Sequence, residues 1–180
     1  MDTLRLATSD DILGIVALER LPESARFVGQ WSEERHRAAF AGNDARYFVC
    51  DASSFSPEVS ELEIDGGVKL RAFGILRGLA ETSGSIELKR LVVHPPGRGF
   101  GRQILTELLH IAFDDFHAHR FFLDVFEDNA RARHLYRSLG FVEEGVMREA
   151  ALRNGEYCSL CLMSMLDREW RDRNGTTRKS

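Results

Sequence analysis

A glycine-rich junction joins an apolar strand to a long amphipathic helix near the middle of the chain. Gly97, Gly99 and Gly101 follow the apolar segment 86–93, which we predict to be buried on both faces, and they open the segment 99–117, whose apolar residues recur with helical spacing. Glycines at such a turn let the backbone approach a ligand closely, and the first N–H groups of a helix have no partner inside it. The junction therefore predicts an anion site, commonly one for phosphate, with a plain tight turn as the alternative.

Two common phosphate-binding loops do not match this junction. A Walker A loop requires Lys followed by Ser or Thr, where this chain has Arg102 and Gln103. The dinucleotide fingerprint G-x-G-x-x-G requires a third glycine, and counting from Gly97 or Gly99 that place holds Arg102 or Ile104. The sequence therefore favours a different class of phosphate-bearing ligand.

Strand and helix patterns alternate along the rest of the chain and predict a mixed α/β fold. Asn154-Gly155 is the strongest hairpin signal, because both residues tolerate the positive φ angles of a type I′ turn. The predicted strands are 3–7, 47–50, 59–64, 68–79, 86–93, 121–126, 142–152 and 156–165. The predicted helices run from Ser9 or Asp10 to Pro22, from Ser32 to about Phe40, from Gly99 to about His117 and from Asn129 to Leu139.

Length and composition indicate one ordinary globular domain. The chain has 180 residues, 43% hydrophobic and 29% charged, with a net charge of −4 that gives no general attraction to nucleic acid. It contains neither a signal-peptide pattern nor the roughly 18 apolar residues of a membrane span, so we expect a cytoplasmic protein. Cys158 and Cys161 lie in an apolar run, which favours a buried strand over a redox or metal site. We predict a single domain over residues 1–170 and a polar tail over 171–180.

Two motifs resemble the GNAT superfamily of acyl-CoA-dependent N-acyltransferases. That family carries (Q/R)-x-x-G-x-(G/A) after its central strand; segment 96–101 matches the last four places and departs at the first, where Pro96 stands. The segment 129–141 matches N-x-x-A-x-x-L-Y-x-x-x-G-F at every specified place. Residues 140–157 further resemble the branch that acetylates protein N-terminal alanine or serine and spermidine. The resemblance implies a GNAT-like fold: a mostly antiparallel mixed sheet of six to seven strands with a splayed parallel pair, flanked by helices.

The resemblance also assigns roles to individual residues. It makes Tyr136 the proton donor to the departing thiolate and Glu87, directly or through a water, the general base. An outward-facing polar residue on an alternating strand is the equal alternative for Glu87, and Glu143, Glu144 and Asp124 are weaker candidates for the base. The expected cofactor-binding residues are Leu91, Val92, Val93, Arg98, Gly99, Phe100, Gly101, Arg102 and Asn129, with Arg131 or Arg133 as candidates for a 3′-phosphate.

The implied function is an acetyl-CoA-dependent N-acetyltransferase acting on a primary amine. The acceptor alternatives are a protein N-terminus, a polyamine and an aminoglycoside-like amine, so the partner is a small molecule or a peptide. We expect no metal, nucleic acid or membrane to be involved. Acidic residues grouped at the site, from among Glu23, Glu33, Glu34, Glu61 and Glu63, would favour a cationic acceptor. A non-catalytic acyl-CoA-binding sensor module is the alternative function. A homodimer that uses the last hairpin is a further hypothesis.

Overall fold

A seven-stranded mixed sheet organises the protein. The computed structural model describes residues 3–51 and 69–175. The strands are β1 (Arg5–Leu6), β2 (Ala45–Asp51), β3 (Leu70–Arg77), β4 (Ser85–Val93), β5 (Arg120–Phe126), β6 (Val142–Arg153) and β7 (Glu156–Leu166). They lie in the order β1-β2-β3-β4-β5-β7-β6, and β4 with β5 is the one parallel pair of the described sheet. This arrangement confirms the predicted fold class.

Helices cover both faces of the sheet and enclose two cores. They are α1 (Ile12–Arg20), α2 (Pro22–Ala25), α3 (Glu33–Ala41), α4 (Phe100–His110), α5 (Ala130–Leu139) and α6 (Asp167–Asn174). Helices α1 and α3 pack on one face, where Ile12, Ile15 and Phe73 are fully buried. Helix α4 packs on the other face through the predicted apolar stripe, of which Leu105 and Leu108 are fully buried.

The parallel pair separates after three residues. Ser85, Ile86 and Glu87 pair with residues 120–122, and the pairing ends there. On its other side β4 stays paired with β3 to Val93, with an irregularity at which Lys89 is an extra residue. The extra residue changes which face the strand presents: Leu88 belongs to the α4 core, whereas Val92, four residues later, belongs to the α1 core. A gap in the sheet therefore opens between the second half of β4 and β5.

The last two strands form the predicted hairpin. Arg153 pairs with Glu156 across a two-residue turn in which Asn154 and Gly155 have φ values of 54° and 84°. Two positive φ values are the signature of the predicted type I′ turn. Cys161 lies buried on β7, as the strand interpretation of the cysteine pair requires.

Several local predictions differ from the structure. The long helix ends as a π-helical segment at Ile111–Asp115 and not at His117, whose φ of 53° is incompatible with a continuing helix. Phe116, which lies beyond that end, is 41% exposed. Burial along strand β4 alternates and is not continuous: Ile86, Leu88, Arg90 and Val92 are buried, and the residues between them are only partly buried. Helix α6 was not predicted, and it extends into the first residues of the predicted tail. The strand predicted at 59–64 lies outside the described residues. None of the described helices is long and apolar enough to cross a membrane.

Candidate active site

A cavity of about 650 Å³ occupies the gap between β4 and β5. Its walls come from the glycine-rich junction, from β4 and β5, from α5, from α2 with the segment after it, and from β6. Of the predicted site residues, it brings together Leu91, Val92, Val93, Gly99, Gly101, Arg102, Asn129 and Tyr136. Arg98, Phe100 and Glu87 are not part of its lining.

The glycine-rich junction forms one end of the cavity. Gly97 and Gly99 have φ values of 90° and 83°, and a Cβ atom built on either would meet nothing within 4 Å. Gly99 caps helix α4, whose first helical bonds are donated by the N–H groups of Arg102 and Gln103 to the Gly99 carbonyl. The N–H of Gly101 thus precedes the first helical bond, and the positive end of the helix dipole faces the open junction. This geometry fits an anionic group such as a pyrophosphate.

Strand β4 offers an open backbone edge to the same cavity. Leu91, Val92 and Val93 pair with β3 on one side, but β5 has already diverged on the other. All three residues line the cavity. An amide-bearing chain in the cavity can therefore pair with this edge as an added strand, and a strand N–H can donate to a carbonyl oxygen on which charge develops.

Tyr136 presents a buried phenol to the cavity from helix α5. Asn129 caps this helix by accepting a hydrogen bond from the Ala132 N–H at 3.2 Å, and Gly140 ends it in the left-handed conformation. The ring of Tyr136 packs 5.6 Å from that of Phe141, and only 9% of the residue is exposed. Burial raises the pKa of Tyr136 to about 12. The hydroxyl is therefore protonated at any physiological pH and can act only as a donor to a departing anion.

Asp124 on β5 is the carboxylate that the cavity contains between its two strands. It lies two residues beyond Phe122, the last residue of β5 that pairs with β4. Burial raises the pKa of Asp124, and the negative charge of Glu87 raises it further, while Lys89 and Arg90 act in the opposite direction. Asp124 is open to solvent through the cavity, and a carboxylate with a raised pKa is a better proton acceptor near neutral pH than one with an ordinary pKa.

The other predicted carboxylates are held elsewhere. Glu87 accepts a hydrogen bond from Lys89 at 3.0 Å, outside the cavity lining. Glu143 binds Arg133 at 3.1 Å, and Glu144 binds Arg120, so neither reaches the cavity. The same ion pair holds Arg133 outside the lining, whereas Arg131 lines the cavity. Among the described residues, no cluster of three or more His, Cys, Asp or Glu side chains could hold a metal ion.

The cavity lining also contains residues that sequence reasoning missed. Lys89 and Arg90 line it from β4, and residues 150–152 line it from β6. Phe27 also lines the cavity, whereas Trp31 does not line it and stacks on Arg90 at 4.4 Å. Nδ1 of His94 is hydrogen-bonded at 2.7 Å to Oε1 of Glu23, which lines the cavity. The extra residue in β4, which aims Lys89 and Arg90 into the cavity, leaves no signal in the sequence.

A mixed sheet with a splayed parallel pair, and a glycine-capped helix that starts beside the splay, is the architecture of the acyl-CoA-dependent acetyltransferases. The sequence matches the model of the acetyltransferase (GNAT) family over residues 15–141. This match spans more than half of the chain, which therefore belongs to the GNAT family.

Individual relatives include two named acetyltransferases. The chain is 35% identical over 78 residues to a spermidine N(1)-acetyltransferase from Vibrio cholerae, and 36% identical over 67 residues to an L-amino acid N-acetyltransferase from Escherichia coli. The aligned stretches cover 43% and 37% of this chain, and they span only 45% and 41% of those two proteins.

Solved structures of the spermidine enzyme match over nearly the whole chain. One SpeG variant from Vibrio cholerae has a TM-score of 0.76 at 26% identity, covering 96% of this chain and 99% of that one. A structure described as a dodecamer in an intermediate state has a TM-score of 0.74 at 26% identity, covering 95% and 96%.

Proposed function

We propose that this protein transfers an acetyl group from acetyl-CoA to a primary amine. The observation that carries the proposal is one cavity that joins an anion-binding helix start, an open strand edge and a buried tyrosine donor. The presence of Tyr136 and Asp124 in its lining favours an enzyme over the alternative of an acyl-CoA sensor, which needs neither side chain.

Each part of the cavity has a role in this reaction. The backbone N–H groups of the junction before Arg102, that of Gly101 among them, hold the pyrophosphate, with Arg131 near the phosphates. The edge of residues 91–93 pairs with the amide-bearing arm. Acetyl-CoA supplies the acyl group as an activated thioester. Amide formation breaks the thioester C–S bond, one amine proton passes to a base, and the sulfur leaves as a thiolate that accepts a hydrogen bond from Tyr136.

We assign the base to Asp124. An amine attacks only when neutral, and an alkyl ammonium with a pKa of about 10.4 is neutral in roughly one molecule per thousand at pH 7, so a base inside the cavity matters. Asp124 lies there with a raised pKa. Glu87 as the base stays a prediction, and its position supports an indirect role, in which its charge raises the pKa of Asp124.

Matched amide variants of the two carboxylates separate these roles. The assay is thiol release from acetyl-CoA with a panel of primary amines, followed from pH 5 to pH 9. Asp124→Asn is expected to lower kcat/KM by about 10²- to 10⁴-fold and to abolish the acidic limb of the profile. Glu87→Gln removes a negative charge near Asp124, so it is expected to retain activity with the acidic limb moved to lower pH. The opposite ranking of the two variants would make Glu87 the base.

Self-association is a second part of the proposal. Strand β6 is an edge of the described sheet, and it exposes the apolar side chains of Val142, Val146 and Leu152, beside Tyr157 of β7. A structural relative is described as dodecameric. Light scattering on the purified protein tests the proposal, and a monomer at all concentrations up to about 100 μM would contradict it.

A further inference from the structure

The described cavity offers a polyamine little unpaired negative charge. Its lining contains two carboxylates, Glu23 and Asp124, and Glu23 already binds His94 at 2.7 Å. Of the four lining cations, Lys89 and Arg90 are themselves paired with Glu87 and Glu19, and Arg102 and Arg131 belong to the proposed phosphate end. A polyamine carries several positive charges, and among the described lining residues Asp124 is the one carboxylate without an ion-pair partner.

The acidic cluster that would favour a cationic acceptor is not at the described cavity either. Of the five acidic residues considered from the sequence, Glu23 alone lines the cavity. Glu33 and Glu34 lie in the first turn of helix α3, and Glu33 is paired with Arg37 at 2.8 Å. Glu61 and Glu63 lie outside the described residues.

Arg90 is a buried cation in the cavity wall, and its side chain is held in place by its neighbours. Its side chain is only 6% exposed, and its Nε lies 3.0 Å from Oε1 of Glu19, which is itself 1% exposed. The guanidinium stacks on Trp31 at 4.4 Å, and its two Nη atoms face Gly29, where a side chain would have covered them. Within the described part of the chain, neither Nη atom has a hydrogen bond to another residue. A planar guanidinium held in this way is suited to bidentate recognition of a carboxylate.

Lys89 and Arg90 also lie close to the proposed base. Both line the same cavity as Asp124, and the charge of each lowers the pKa of its carboxyl group. An acceptor whose amine reaches Asp124 can therefore bring an anionic group, attached a few bonds away, to these cations. The α-amino acids have this arrangement of amine and carboxylate.

The remaining lining near these cations is apolar. Phe27, Val28 and Leu152 surround the same space, together with the small side chains of Ala150 and Ala151. Walls of this kind favour an apolar side chain on the acceptor, because they offer it burial and no hydrogen-bond partner.

Resting on the proposed acetyl transfer, we propose that the acceptor is a free α-amino acid with an apolar side chain, whose carboxylate binds the Nη atoms of Arg90. A peptide N-terminus lacks this carboxylate because the group is an amide there, and a polyamine has no anionic group. The acceptor's amine forms the new amide as described above, while its carboxylate stays bound and unchanged.

The test compares acids with their own amides. Thiol release from acetyl-CoA is measured with L-phenylalanine and L-methionine, with L-phenylalaninamide and L-methioninamide, and with spermidine. The acids are expected to be preferred over the amides in kcat/KM by roughly 10- to 100-fold, the worth of a charge-assisted hydrogen bond. The double variant Glu19→Gln/Arg90→Gln removes the buried pair without leaving a lone charge and is expected to abolish the preference. Arg90→Lys keeps the charge and is expected to restore part of it.

Arg35→Gln is the matched control. The Arg35 guanidinium also stacks on Trp31, at 4.3 Å, but it does not line the cavity, so the preference is expected to survive. Preferential turnover of spermidine or the amides, or no turnover of the acids by protein that binds acetyl-CoA, would overturn the amino acid proposal alone. Calorimetry that detects no acetyl-CoA binding would overturn the proposed function, and this inference with it.

Discussion

Removal of one buried hydroxyl, in Tyr136→Phe, tests how the leaving sulfur is stabilised. The pKa of Tyr136 is raised to about 12 by burial, whereas an ordinary thiol has a pKa of about 8.5. Complete proton transfer from the phenol to the thiolate would therefore be uphill by roughly 5 kcal/mol. We therefore expect the hydroxyl to act mainly as a hydrogen-bond donor to the developing charge, and solvent to protonate the released thiolate.

This reasoning gives a bounded expectation for the rate. A hydrogen bond to a charged group contributes about 1.5–3 kcal/mol, so kcat should fall by roughly 10- to 150-fold. The KM for acetyl-CoA should change little, because the charge develops only in the transition state. No alkaline limb from Tyr136 is expected below about pH 12, where its pKa lies.

The Tyr136→Phe experiment needs a stability measurement and a control at a second tyrosine. The Tyr136 ring stays packed on Phe141 in the variant, so the melting temperature should shift by no more than about 2 °C. Tyr157→Phe removes a hydroxyl from a residue that is 72% exposed and outside the cavity, and it should leave kcat unchanged. A Tyr136→Phe rate within about threefold of the unmodified protein would refute the donor role. A loss well beyond 10⁴-fold would refute the hydrogen-bond argument in favour of full proton transfer.

Two further predictions concern the fold. Gly74→Ala places a Cβ atom 2.7 Å from Cδ1 of the buried Leu108, so we expect its free energy of unfolding, measured by denaturant melt, to fall by about 1–3 kcal/mol. In the control Gly145→Ala the new Cβ meets nothing within 4 Å, and the loss should be less than about 0.5 kcal/mol. Equal losses in the two variants would contradict the packing argument. The Arg5 guanidinium lowers the pKa of Asp11 from 3.8 to about 2, so this carboxylate stabilises the fold above about pH 4, and the stabilisation disappears as the pH falls towards 2. Asp11→Asn should therefore lower the free energy of unfolding by about 1–2 kcal/mol at pH 6 and by almost nothing near pH 2. The effect stays small because Arg5 is partly exposed. An equal loss at both pH values would rule out the ion pair as its source.

Local features of the sequence were sufficient to predict much of the architecture. The Asn154-Gly155 turn follows from backbone conformations that few other residues adopt, and it occurs as a type I′ turn. Asn129 and Gly140 bound helix α5 as N-cap and C-terminal glycine, and Gly99 starts helix α4. Helix capping, turn conformation and hydrophobic periodicity depend on residues a few positions apart, so they can be predicted directly from the sequence.

The identity of the carboxylate in the cavity was decided by tertiary structure. Glu87 and Asp124 are both polar residues on alternating strands, and period alone places each on one face of its strand. It does not say where two parallel strands stop pairing, and here pairing ends at Glu87 and Phe122, which leaves Glu87 inside the sheet and Asp124 in the gap.

The same holds for the cations of the acceptor side. The extra residue at Lys89 exists only in the pairing of β4 with β3, and it turns Arg90 towards the cavity wall. Arg90 is buried there because Glu19, from a helix 71 residues earlier in the chain, neutralises it. A contact between residues so far apart follows from packing the whole fold, because a buried charge is tolerated only where its partner arrives from elsewhere. The sequence by itself determined most of the sheet, its main helices and the glycine-rich junction, whereas tertiary structure decided which charged side chains line the cavity.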